Sequence, residues 1–456
     1  MLARAKPVLR EEYCKGCGRC VSACARGCIA PGTEVNPLSG LVPVILNLEA
    51  CNSCGLCFEA CPEPYGLGVA EVVASALGPK PLPKVEEIPD TRTTLPAGPP
   101  LVLKGTHASA VGALLSGCRH FFGYPITPST EGAELMARLL PKLGGQFLQA
   151  ASEVAAVNMM YGCGAAGKPS MTFTSSPGFS LMLEGISYMI GAEVPAVFVN
   201  VMRGGPGLGN IGPEQSDLKL ACHGLGHGNT HAISLAPSTP QEMLDFTMLA
   251  FELTFRYRNP VVILADGYLG QMTGKVNLPA ESIAPGIPSW AVYGDGPHRH
   301  NLVASIQLKE VDLEKHNDML VEKYRRMAEV EQRADLFCCD DAEIVILACN
   351  TPGRMAKGAV RTLRSQGIAA GLFRPQTVWP FPIRKLEPLL GHARRLCVVE
   401  ASAGQLEDEL RLALSHAGLA DRIEISHVRR QGGILPSQRE IVAAVCGSSP
   451  REAVLA

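Results

Sequence analysis

The chain has 456 residues, 46% hydrophobic and 18% charged, which allows about three packed domains and excludes a disordered tail. Lys plus Arg number 41 against 43 Asp plus Glu, a net of −2, so no nucleic-acid binding through bulk basic charge is expected. The opening MLARAKPVLREEY lacks an apolar signal core, and no apolar run approaches the roughly 18 residues of a membrane helix, so neither export nor a membrane span is expected.

Residues 1–75 form the first segment, with nine of the 17 cysteines lying before Pro62. They read Cys14-x2-Cys17-x2-Cys20-x3-Cys24 and then Cys51-x2-Cys54-x2-Cys57-x3-Cys61-Pro62. In a chain without an export signal, such clustering argues for metal ligation over disulfides and for a cytoplasmic location. In two-cluster ferredoxins the fourth cysteine of each run serves the other cluster. The spacing therefore predicts one [4Fe–4S] cluster on Cys14, Cys17, Cys20 and Cys61, and a second on Cys51, Cys54, Cys57 and Cys24. The alternative is a pair of structural zinc sites, but zinc motifs set CxxC pairs apart and do not crowd four cysteines into one short run. Ala25 follows Cys24 where Pro62 follows Cys61, and Cys28 is expected to be a bystander. With six basic and five acidic residues up to Pro62, the module reads as a fused and docked ferredoxin and not as a strongly acidic free carrier.

Residues 76–100 carry seven prolines from Pro79 onward and read as an extended tether wrapping over a neighbouring surface, reaching roughly 70 Å at about 3.1 Å per residue. From 101 to 275, short apolar runs alternate with amphipathic stretches. Strands are expected at HFFGYP (120–125), QFLQA (146–150), SMTFT (170–174), AVFVNVM (196–202) and PVVILAD (260–266), with helices such as EGAELMARLLPKL and SEVAAVNMMYGCGAA between them. That rhythm indicates a parallel α/β sheet. Residues 276–340 read as a connecting segment with a charged helix at KEVDLEKHNDMLVEKYRRMAEVEQ. A second α/β domain is expected over 341–456, with strands in EIVILACN, IAAGLFRP and RRLCVVEA.

Several loops carry candidate chemistry. Gly123-Tyr-Pro-Ile-Thr-Pro-Ser-Thr130 runs from a strand end into a helix, the place where parallel sheets bind ligands. Ser152 is a candidate N-cap, which puts Glu153 in a first turn where the helix dipole favours an anion. SSPGFSLMLEG (175–185) is a Gly-Pro turn into a helix, and VMRGGPGLGN (201–210) is a Gly-rich loop with one Arg. Neither fits GxGxxG after a strand or GxxxxGK[ST], so no Rossmann or P-loop nucleotide site is expected. Met159, Met160, Met182 and Met189 are expected in the core. The lone cysteines 118, 163, 222, 338, 339, 349, 397 and 446 are expected to be reduced core thiols, and His223 and His227 hydrogen-bonded loop residues.

Taken together, GYPITPST, SEVAAVNMMYG, SSPGFSLMLEGISYM, RGGPGLGN, NPVVILADGYLGQM, PQTVWPFP and GQLEDEL resemble, in order, the α subunit of 2-oxoacid:ferredoxin oxidoreductases, most like the branched-chain 2-oxoisovalerate type. The fused N-terminal ferredoxin module departs from the minimal α subunit. The resemblance implies an α/β fold with a pyrimidine-binding thiamine diphosphate domain and a transketolase-C-terminal-like domain. It implies oxidative decarboxylation of a 2-oxoacid with coenzyme A to acyl-CoA and CO2, electrons passing to the clusters. It also gives residue roles: Glu153 would bond the aminopyrimidine ring, Pro125 would line its pocket, Thr127 would face the 2-oxoacid, and Arg203 would meet its carboxylate.

One half of the cofactor site is missing. The diphosphate half needs Gly-Asp-Gly followed by Asn to hold Mg2+. Gly294-Asp295-Gly296 follows a weak strand, PSWAVY, and precedes a charged stretch, so it reads as a decoy. The resemblance then implies a hetero-oligomer: a β subunit bringing Mg2+ and the diphosphate site, a γ-type chain, and ferredoxin or another electron acceptor. The competing readings are a non-catalytic iron–sulfur adaptor and a non-redox thiamine diphosphate lyase or transferase. The latter has no use for electron-accepting clusters.

Overall fold

The computed structural model describes residues 6–63, 65–69 and 87–447; the first part of the expected tether, 76–86, lies outside the described residues. The chain forms two compact units, one comprising Met1–Lys84 with Ile306–His316, the other Val85–Ser305 with Asn317–Ala456.

In the first unit, β1 (Pro7–Leu9) pairs antiparallel with β4 (Leu67–Val69), and β2 (Ile29–Pro31) with β3 (Val44–Leu46). The cysteine loops end in two five-residue helices, Arg19–Ala23 and Leu56–Ala60, entered through left-handed Gly18 (φ 74°) and Gly55 (φ 86°). At Gly16 a Cβ would lie 2.2 Å from the Val42 carbonyl oxygen, so only glycine lets the first loop close. The buried centre is small and made largely of cysteines with Ile29, Val44 and Leu67. A core of that size needs metal ligation to hold it together.

The second unit is built on two sheets. The larger has seven strands in the order β18-β11-β12-β10-β9-β7-β8. Its strands are β7 (His120–Gly123), β8 (Gln146–Gln149), β9 (Ser170–Thr174), β10 (Val197–Met202), β11 (Ile233–Leu235), β12 (Val261–Asp266) and β18 (Thr377–Trp379). All adjacent pairs are parallel except β11 with β18. β9, β10 and β12 are wholly buried, their few polar residues included, as strands covered on both faces are. The smaller sheet, β15-β17-β16-β19-β20, contains β15 (Ala334–Phe337), β16 (Ile344–Leu347), β17 (Ala370–Pro375), β19 (Arg395–Glu400) and β20 (Glu424–Arg429), with β15 antiparallel at its edge.

Three features refine the sequence reading. β15 lies within the stretch expected to be a connector, yet it pairs with β17. Within the tether, β5 (Thr91–Thr94) pairs with β14 (Glu281–Ala284), and just beyond it β6 (Leu101–Lys104) pairs with β13 (Thr273–Val276). Pro96, Pro99 and Pro100 fall between β5 and β6, where no ladder hydrogen bond is lost. Met160, Met182 and Met189 are buried, whereas Met159 is 37% exposed on the opposite face of its helix.

Candidate functional site

The parallel strands of the larger sheet end along one edge, and every loop singled out from the sequence leaves from it. β7 feeds the loop of Tyr124–Ser129, β8 leads to Glu153, β9 to Ser176, β10 to Arg203 and β12 to Asp266. That carboxyl edge is where open α/β sheets hold ligands.

Glu153 opens the helix Glu153–Ala165, capped by Ser152, whose Oγ accepts a hydrogen bond from the Ala155 N–H. The cap and the dipole favour a carboxylate in this first turn. The side chain is nevertheless buried, at 5% exposure, and none of the described residues donates a hydrogen bond to it. It packs over Gly178 in the first turn of the next helix, Ser176–Gly191. A Cβ there would lie 2.5 Å from Glu153 Oε1 and 2.4 Å from Thr174 Oγ1. Glycine at 178 thus opens the space that the carboxylate occupies. An accessible carboxylate on an otherwise buried side chain, with no donor from the described chain, fits a ligand that brings one, as an aminopyrimidine does.

Arg203 ties two loops together. Nη1 donates to the Thr127 carbonyl at 2.8 Å and Nη2 to the Leu208 carbonyl at 3.2 Å, while the buried Nε has no partner. Its backbone N–H donates to Ser176 Oγ. Pro125 and Thr127 are exposed on the loop after β7, and Gln271 Nε2 pins that loop at the Pro128 carbonyl. Arg203 therefore positions Thr127 and keeps unused donors for a ligand.

The smaller sheet's domain locks the same region. Asn210 Nδ2 donates to the Gly432 carbonyl, and the Gly432 N–H donates to Glu214 Oε2. Asp266, fully buried, accepts from the Tyr268 and Leu269 amides and from both the amide and the hydroxyl of Thr351. Burial pushes its carboxyl above the usual range, and those donors oppose the shift. Gly178, Asn210 and Thr351 were not singled out from the sequence, because each acts through a partner distant in the chain.

Other candidates fall elsewhere. His223 lies in the last turn of the helix Asp217–His223 and bonds Glu409, which raises its imidazole pKa; it is not a loop residue. At His227 the backbone carbonyl accepts from Ser187 Oγ. PSWAVY forms no strand, and Asp295 Oδ1 accepts from the amide and ring nitrogen of His298, so that carboxylate is spent locally. Cys118, Cys222, Cys339, Cys349 and Cys397 are buried as expected, but Cys163 is half-buried and Cys338 and Cys446 are exposed. Burial pushes the Cys118 thiol up to about 12.

In the N-terminal unit the cysteines divide between two cavities. One is lined by Cys14, Cys17, Cys20 and Cys61, the other by Cys24, Cys51, Cys54 and Cys57, with Cys28 beside them. Backbone amides point at sulfur: Val44 N–H to Cys14, Ser53 to Cys51 and Cys28 to Cys24, at 3.3–3.5 Å. Among the described residues no three His, Cys, Asp or Glu side chains converge on the position of a single ion. This donor set, four thiols around each hollow, fits a cube better than a mononuclear metal.

Residues 111–345 match the family described as pyruvate flavodoxin/ferredoxin oxidoreductase, thiamine diphosphate-binding. Residues 342–441 match pyruvate:ferredoxin oxidoreductase core domain II, and residues 13–64 a 4Fe-4S dicluster domain. The chain is 46% identical over 346 residues to ketoisovalerate oxidoreductase subunit VorB of Methanothermobacter thermautotrophicus, covering 75% of this chain and 96% of that one. It is 36% identical over 371 residues to 2-oxoglutarate synthase subunit KorA of Methanocaldococcus jannaschii, covering 76% and 99%. A solved 2-oxoglutarate:ferredoxin oxidoreductase from Magnetococcus marinus, with 2-oxoglutarate, coenzyme A and succinyl-CoA bound, is similar at TM-score 0.67 and 27% identity, over 76% of this chain and 65% of that one. No helix among the described residues is long and apolar enough to cross a membrane. With its family matched over half its length and its edge loops in the family's order, the chain belongs to the 2-oxoacid:ferredoxin oxidoreductases, as a thiamine diphosphate-binding subunit with a two-[4Fe–4S] domain at its N-terminal end.

Proposed function

We propose that this chain supplies the pyrimidine side of a thiamine diphosphate site in an enzyme that converts a 2-oxoacid and coenzyme A to acyl-CoA and CO2. The cofactor, when bound, supplies the nucleophilic carbon and the electron sink for decarboxylation. The chain's own residues hold and orient. Glu153 accepts a hydrogen bond from the aminopyrimidine ring and stabilises its imino form, and Pro125 lines that ring's pocket. Thr127 and the remaining donors of Arg203 face the 2-oxoacid, a guanidinium being a planar match for its carboxylate.

Cys14, Cys17, Cys20 and Cys61 would hold one [4Fe–4S] cluster, and Cys51, Cys54, Cys57 and Cys24 the other. The two electrons released on oxidation leave through them to ferredoxin or another acceptor. A β subunit brings Mg2+ and the diphosphate site, a γ-type chain completes the assembly, and the cytoplasm is the compartment that keeps such thiols reduced. Support for the 2-oxoacid class comes from the relatives, whose names are those of ketoisovalerate and 2-oxoglutarate enzymes.

The observation that carries this reading is Glu153, a largely buried side chain whose carboxylate is held over Gly178 with no donor from the described chain. The test is to purify the chain with its partner subunits and assay viologen reduction with a panel of 2-oxoacids. The expected result is coenzyme A-dependent reduction and acyl-CoA formation. Reduction by none of them would leave an electron-transferring adaptor.

A further inference from the structure

The two cysteine cavities of the N-terminal unit differ at the ligand that each run lends to the other cluster. Cys24 and Cys61 are those fourth ligands, and the chain around them is not matched. The Cys24 sulfur faces donors. It accepts from the amides of Cys28, at 3.3 Å, and of Arg26, and the Cys28 thiol reaches the same sulfur. The Arg26 carbonyl, another acceptor near that thiol, is 3.8 Å away. Cys28 is 3% exposed and lines the cavity of Cys24, Cys51, Cys54 and Cys57, so it lies among the sulfurs and not in solvent.

Cys61 meets the reverse. Its sulfur lies 3.5 Å from the Glu63 carbonyl oxygen, and Pro62 and Pro64 have no N–H to offer. The position matching Cys28, four residues beyond the fourth cysteine, is Tyr65, whose side chain is exposed. Charge points the same way. Among the described residues lining the Cys24 cavity, Arg26 is the one Lys, Arg, Asp or Glu; Lys15 and Glu63 line the other cavity as an ion pair at 2.7 Å. A [4Fe–4S] cube gains negative charge when it takes an electron. Donors and a cation beside its sulfurs therefore favour the reduced state, and a facing carbonyl oxygen opposes it.

We infer that the cluster of Cys24, Cys51, Cys54 and Cys57 has the higher reduction potential of the two, and that Cys28 sets it apart. Cys28 acts through the Cys24 sulfur; it tunes the cluster and is not a ligand. The two cubes are alike in composition and unequal in potential. Each takes up one electron, so of the two electrons released by oxidative decarboxylation the cube beside Cys28 holds the first. The inference rests on the proposed division of the eight cysteines between two cubes.

The experiment uses the full chain, titrated with dithionite and followed by low-temperature electron paramagnetic resonance. The wild-type chain should show two separate one-electron waves. In Cys28→Ala the higher wave should move to more negative potential. For one lost hydrogen bond the reduced-to-oxidised ratio at a fixed potential should fall about three- to tenfold, which is roughly 30–60 mV. The lower wave and the iron content should not change. Cys28→Val fills the space without a donor and should shift the same wave, whereas Cys28→Ser still donates and should recover part of the shift. Overlapping wild-type waves, movement of both waves together, or no movement in Cys28→Ala overturns the inference. Iron lost from Cys28→Ala also overturns it, by making Cys28 a ligand. A wild-type chain without acid-labile sulfide overturns the division into cubes itself, and the two failures are thereby distinguished.

Discussion

A glutamate in the first turn of a helix is ordinarily a solvated partner of the dipole, and Ser152 with Glu153 is a local pattern that any sequence displays. What separates Glu153 is a largely buried side chain whose carboxylate meets no donor from the described chain, and its position depends on a glycine in another helix. Glu153→Gln should leave the fold, the clusters and the assembly intact, because the amide fills the same space. It should slow deuterium exchange at the thiazolium carbon by roughly 10²–10³, since an amide replaces the carboxylate in a charge-assisted contact. Near-normal exchange would remove Glu153 from the chemistry. Gly178→Ala tests the same packing from the other side. Its Cβ would press on Glu153 Oε1 and Thr174 Oγ1, so a stability loss of about 1–3 kcal/mol is expected together with slower exchange. A thermal melt and the exchange assay would register both; wild-type behaviour in each would mean that the glutamate moves freely. The placement of Ser152 and Glu153 at a helix start was legible because capping is local. That of Gly178 was not, because the clash that excludes a methyl group joins two helices through space.

Elements were legible wherever they declared themselves by apolar content. β9, β10 and β12 are five- and six-residue strands buried on both faces, and each lies within its expected run. β11, β15 and β18 are short edge or near-edge strands of three or four residues, defined by their neighbours more than by their own sequence. β18 illustrates the difficulty: PQTVWPFP reads as a proline-bounded loop, yet Thr377–Trp379 completes the larger sheet from a later part of the chain. The cysteine runs are the opposite case, where spacing alone carries the message. Both runs place a positive-φ residue on either side of the middle cysteine, Gly16 and Gly18 in one and Ser53 and Gly55 in the other. Such matched loops predict two equivalent clusters, so the purified chain should contain about eight iron and eight acid-labile sulfide. Cys61→Ala should remove the iron of one cluster while Cys28→Ala removes none. About two zinc and no sulfide would replace the cubes with mononuclear sites.

For the molecule as a whole, the telling feature is a cofactor site with one side. The larger sheet's edge gathers Glu153, the proposed pyrimidine acceptor, with Thr127 and Arg203, proposed for the 2-oxoacid, but no described loop is fit to hold a divalent ion on a diphosphate. Gly294-Asp295-Gly296 has the right letters, yet no strand leads into it and its carboxylate is committed to His298. Near the open edge, Val154 and Leu181 expose apolar side chains on the two helices that carry Glu153 and Gly178. A second chain bearing the diphosphate half would cover such residues and close the site against water. The chain alone should therefore bind thiamine diphosphate weakly and oxidise no 2-oxoacid, because most of the affinity resides in the metal-bridged diphosphate that this chain lacks. Adding the β subunit should restore binding and turnover together, with the iron content unchanged throughout. Calorimetry on the lone chain and on the reconstituted complex, alongside a viologen assay, makes the comparison direct. Robust turnover by the lone chain would turn the Gly294–Gly296 loop from a local turn into the metal loop, and the partner would no longer be needed to complete the site.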